Sequence, residues 1–213
     1  MAEASWSAVP VLAAAVLAAT SGAAEERPGA PPAGMAVKWY DPSRALPFGH
    51  EALAGEVQSV LAPAGLELAW EAAGPDMSDA GDALRVILLA AEQAGPSDVM
   101  GSVQRRGASR TAWISLPGVE RTLGLPERRR APRPPGSDRL LAQAVARVIA
   151  HELVHLLAPD LPHTRGGLMA PRLGRPFLTA EHVALSPAVA AAVRSAASGD
   201  GLAGRQRVAS VEP

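Results

Sequence analysis

The residues of this chain best suited to chemistry sit close together: His151-Glu152-Leu153-Val154-His155, a further histidine at His163, and the turn-like Gly166-Gly167-Leu168-Met169. At about 100° per helical residue, His151 and His155 fall about 40° apart on one face, so both imidazoles can reach a single metal ion. Glu152 is rotated about 100° from His151. That offset holds its carboxylate near the ion without making it a ligand, placed to take a proton from an attacking water. A catalytic zinc takes three protein ligands and keeps one position open. His163 is the nearest candidate for the third, in a chain where 3 of the 5 histidines lie between His151 and His163. Asp160 is an alternative oxygen donor, although aspartate beside prolines more often shapes a turn. Glu181 and His182 are further rivals, because some zinc sites draw a glutamate from a following helix.

These residues need a helix under them, and the sequence supplies one. Leu140 to Ala150 is largely apolar and helical in composition, so the motif sits on a buried helix. Ser137 or Asp138 suits its N-cap. Pro159 disfavours helical geometry at Ala158 and should end the helix near Leu157, after which the chain can fold back and carry His163 over the metal. Upstream, Met35 to Tyr40 reads as a strand. Phe48 to Ala62 has helical spacing at Leu53, Val57, Val60 and Leu61, ended by Pro63 and Gly65. Leu66 to Trp70 alternates as a half-buried strand, and Leu84 to Leu89 is continuously apolar, as an inner strand would be. Met100 to Gln104 and Thr111 to Leu116, joined through Arg105-Arg106-Gly107-Ala108, complete the set, with Met100 to Gln104 at the sheet edge. The expected fold is α+β: a mixed, twisted sheet of four to five strands backed by helices, then the zinc helix and a small C-terminal helical part. In that part, Thr179 would cap a short helix to Leu185, and Ser186 with Pro187 would open another through Arg194.

Other features bound the reading. The formal net charge is −1, from 20 basic and 21 acidic residues, which argues against nucleic acid or an anionic membrane surface as the main partner. Ala8 to Ala19 is apolar but too short to span a bilayer, and the small residues Ser21 to Ala24 suit cleavage. Residues 1–24 therefore read as a signal peptide, with an n-region that lacks lysine and arginine. A secreted or periplasmic protein follows, without a lipid anchor, since the sequence contains no cysteine. Residues 25–34 read as a linker, 35–196 as the catalytic domain and 197–213 as a disordered tail. Leu125 to Gly136, rich in proline and arginine, reads as a mobile solvated loop. Trp39, Trp70 and Trp113 read as core, and His50 as an exposed residue before a helix.

On these residues the chain resembles the metzincin clan of zinc metalloproteases, whose pattern is H-E-x-x-H-x-x-G-x-x-H followed by a methionine turn. His151, Glu152 and His155 match position by position, and Met169 in Gly166-Gly167-Leu168-Met169-Ala170 looks like the methionine turn. Ala158 stands in place of the glycine, Leu161 occupies the usual third-ligand position, and His163 comes two residues later. Pro171 replaces a tyrosine often found after the turn. Histidine seven residues after the second ligand, shortly before Gly-Leu-Met, is similar to a group of bacterial metzincin-like proteins. The resemblance implies one catalytic zinc on His151, His155 and His163, with Glu152 as general base. It implies a secreted metalloendopeptidase acting on peptide or protein substrates, aligned along the Met100 to Gln104 edge by main-chain hydrogen bonds. The alternative from another class is a non-catalytic, zinc-stabilised binding or structural protein. Glu152 speaks against it, because a purely structural site closes its fourth position and needs no base.

Overall fold

In the computed structural model, residues 33–46, 49–77, 83–90, 99–126 and 133–198 are described. Five strands run as β1 (Ala33–Tyr40), β2 (Leu66–Ala72), β3 (Leu84–Leu89), β4 (Gly101–Arg106) and β5 (Ser109–Ser115). They form one sheet in the order β2-β1-β3-β5-β4. β1 pairs in parallel with β2 and β3, and β3 with β5; β4 alone is antiparallel, on β5. The strands begin and end within a few residues of expectation. β1 starts at Ala33, inside the stretch expected as linker, while the expected signal peptide and most of the tail lie outside the described residues.

Strand alternation decides which face is covered. Val37 and Trp39 on β1, Leu84, Val86 and Leu88 on β3, and Ala112 and Ile114 on β5 all point to one side and are buried in one core. Against that side pack α1 (Glu51–Leu61) and α3 (Ser137–Leu157). α1 buries Leu53, Val57, Val60 and Leu61, the residues its spacing singles out. Its Gln58 also bonds the β2 backbone, donating to Leu66 O at 2.7 Å and accepting from Leu68 N at 3.1 Å. α3 is buried over most of its length, including Leu141, Val145, Val148, Ile149 and Leu153, so it needs an apolar surface on nearly every side.

Several expectations are corrected. Leu116 does not end a strand; it opens α2 (Leu116–Leu123), N-capped by Ser115 Oγ, which accepts from Gly118 N at 3.2 Å. The cap of α3 is Gly136 at φ 77°, not Ser137 or Asp138; Ser137 Oγ instead donates to Pro134 O at 2.7 Å. No helix runs from Thr179 to Leu185. One helical turn, α4 (Arg175–Leu178), precedes it and Thr179 is its C-cap. The last helix, α5 (Pro187–Ala197), is capped by Ser186 as expected but continues past Arg194. The Leu125 to Gly136 segment is anchored where it is described: the Arg133 side chain is buried and pairs with Glu120 and Asp138. His50 is half-buried and stacked on Trp70, with ring centroids 6.3 Å apart. Trp39 is core and Trp70 packs against it, whereas Trp113 is half-buried on the opposite sheet face, beside Ile87 in register.

Candidate metal centre

α3 ends where Pro159 requires. Ala158 leaves helical geometry at φ −121°, ψ 71°, its N–H still bonded to Val154 O, and a turn closes as Leu161 N donates to Ala158 O at 3.0 Å. The chain then doubles back over the helix and delivers His163. Its Nε2 lies 3.0 Å from His155 Nε2, which is itself 3.2 Å from His151 Nε2. Two imidazole nitrogens bound to one tetrahedral zinc at about 2.0–2.1 Å stand about 3.3 Å apart. Both of these separations match that spacing, and all three donor atoms lie within 4.8 Å of one another. The three histidines form a cluster able to hold a metal; neither Asp160 nor Glu181 nor His182 belongs to it. Glu181 and His182 are about nine-tenths exposed and face each other at 3.6 Å.

The glycine turn after His163 supports the cluster from behind. Gly167, at φ +74°, allows the chain to reverse, Thr164 N donates to Met169 O at 2.7 Å, and Met169 is buried. The reversal aims Leu168 O at His151, whose Nδ1–H donates to it at 2.6 Å. That bond fixes the tautomer and leaves the Nε2 lone pair facing the other two imidazoles. Burial holds His155 down at about 4, helped by the two neighbouring histidines, and burial likewise lowers His151. Both are consequently neutral near pH 7, the state a metal requires.

Glu152 is 6% exposed, and burial pushes its carboxyl up to about 7. It lies under β4. A Cβ on Gly101 would stand 2.4 Å from Glu152 Oε1, so only glycine lets the strand pass this close to the carboxylate. The sequence carried a signal for this contact in the form of a glycine within a strand, which often marks a close approach. The histidines and Glu152 open onto a cleft of about 600 Å³, with Val99 to Val103 on one wall and Ala170 to Gly174 on the other. Thr122 of α2 also lines it; of these wall residues, sequence reasoning had reached only the edge strand and Ala170 and Pro171 at the end of the turn.

The fold is similar to the crystal structure of a zinc-dependent peptidase from Methanocorpusculum labreanum (strain Z), at a TM-score of 0.52 and 13% sequence identity, over 74% of this chain and 99% of that one. At that identity the likeness is one of fold. No protein-family model matches the chain, and no curated protein does.

Proposed function

We propose that this protein is a zinc-dependent endopeptidase of metzincin-like architecture. The observation that carries the reading is the convergence of three histidine Nε2 atoms with a buried glutamate at the floor of one open cleft. His151, His155 and His163 would hold the zinc, which when bound supplies a Lewis acid that polarises the scissile carbonyl and acidifies water.

The remaining work falls to the chain itself. β4, paired with β5 alone among the described residues, offers its outer edge to an extended peptide and sets the carbonyl by main-chain hydrogen bonds. Glu152, held neutral or charged within reach of neutral pH by its burial, takes the proton of the attacking water and passes it to the departing amine as the C–N bond breaks. Met169 lies buried in the turn whose Leu168 O holds His151. The non-catalytic alternative fits less well, since a structural site is closed by four protein ligands and this cluster opens onto a cleft beside a carboxylate.

Glu152→Gln tests the reading. The variant should keep its zinc and lose hydrolysis of an unfolded protein substrate by at least about a thousandfold, because both proton transfers fail. Equal rates for variant and parent, each loaded with zinc, would rule the mechanism out.

A further inference from the structure

The wall of the cleft formed by β4 has a pattern that the hydrolytic chemistry does not explain. Val99 and Val103, at 41% and 38% exposure, are the exposed large hydrophobic residues among those described. Both line this cleft. They offer apolar contacts to whatever lies in the cleft. Between them stands Gly101, whose place on that side is taken by the Glu152 carboxylate. Met100 O accepts from Ser115 N at 2.8 Å, which carries the ladder one residue ahead of the strand. With a side-chain period of two, Val99, Gly101, Val103 and Arg105 then share a face.

Arg105 continues the series with a charge. It is exposed and presents its positive charge on that edge. A carboxylate added beside Arg105 would offset it. An added strand places its own residues opposite those of β4, so each β4 side chain contacts the peptide side chain in register with it.

We infer that the cleft selects an extended peptide by position: apolar residues two places to either side of the residue seated against Gly101, and an acidic residue four places away toward Arg105. The spacing is the same whether the peptide runs parallel or antiparallel to β4, since both are counted from Gly101. This rests on the peptidase reading and adds to it the class of sequence that is cut.

Mapping the cleavage sites of the full-length, zinc-loaded protein on a mixed peptide library by mass spectrometry tests it. Cut peptides should show apolar residues four places apart, favoured roughly tenfold, and an acidic residue two places beyond one of them, favoured roughly threefold, as suits an exposed charge pair. Arg105→Glu, on an exposed hairpin, should invert the second preference toward lysine and arginine with zinc content unchanged. Val103→Lys should replace one apolar preference by an acidic one. Cleavage with no such spacing, or an acidic preference that survives Arg105→Glu, would overturn the inference and leave the peptidase reading intact. Absence of any cleavage by protein shown to carry zinc would overturn both.

Discussion

At the scale of single residues, the motif is legible because its chemistry is local. Two histidines four apart on a helix must share a face, and the glutamate between them must lie beside their metal. His163 is a different matter, since its arrival depends on how the chain turns after Pro159. The expectation that it closes the cluster leads to a sharp outcome: His163→Ala should lose zinc on dialysis against a weak chelator, while Asp160→Ala and Glu181→Ala, neither part of the cluster, should retain it. Zinc content by mass spectrometry checks this, and stoichiometric zinc in His163→Ala would refute the ligand set. Gly101 was legible only as a glycine within a strand, which hints at a close approach, because nothing local says which side chain it meets. Its consequence is that Gly101→Ala should bind zinc normally yet lose about a hundredfold in turnover. The new methyl, 2.4 Å from Glu152 Oε1, forces the carboxylate aside, and a displacement of about 1 Å costs that much. A turnover rate within a factor of two of the parent would show that Glu152 does not act from this position.

At the scale of elements, what could be read followed from period and what was missed followed from long-range partners. α3 declares itself by a long apolar helical run stopped by a proline. α2 hides because Pro117 and Gly118 count against a helix, although a serine cap with a proline in the first turn is a start signal when taken together, and Gly118 is needed where Val99 O would stand 2.7 Å from a Cβ. Arg133 looked like part of a solvated charge run, but its partner Glu120 lies 13 residues away, and no local pattern announces that pairing. Arg147 is the strongest case. It is wholly buried on α3, one turn before His151, and its Nε donates to Glu56 of α1 at 2.7 Å. Its Nη1 donates to Phe177 O at 2.9 Å and Leu178 O at 3.1 Å, at the end of α4. One guanidinium thus ties three helices together. Arg147→Met should destabilise the protein by about 1–3 kcal/mol, since it takes the buried guanidinium from part-exposed Glu56 and leaves two backbone carbonyls without a donor. Arg147→Lys should recover only part, because an ammonium cannot reach the same three acceptors in one plane. Urea unfolding curves read both; a midpoint unchanged in Arg147→Met would mean that these bonds contribute nothing net.

At the scale of the whole molecule, the sequence marked Leu84 to Leu89 as an inner strand and Met100 to Gln104 as the edge, but not which strands neighbour which, since pairing partners far apart in the chain leave no local pattern; the full order β2-β1-β3-β5-β4 is what sets the cleft beside α3. It also determines what the metal does for stability. The core lies between the sheet and the helices α1 and α3, built from residues such as Val37, Leu53, Val86, Ile114 and Leu153, each 0% exposed. Two of the three histidines are fixed by α3 itself, and His151 is further held by Leu168 O. The metal would therefore cross-link this core to little more than the chain from Ala158 to Gly174, around the exposed His163. Removing zinc with a chelator should abolish hydrolysis while leaving the far-ultraviolet circular dichroism unchanged. The unfolding free energy should fall by only the binding free energy available at the working zinc concentration, about 3 kcal/mol at a hundredfold excess over Kd, and amide exchange should quicken in residues 158–174 rather than in β1, β3 or α1. The rival reading predicts the opposite, since a structural zinc contributes its binding energy to folding outright and its removal unfolds the domain. Global loss of helical signal on chelation, with exchange quickening across the sheet, would decide for that rival; a folded, inactive and locally loosened apoprotein would decide for an enzyme whose metal serves chemistry.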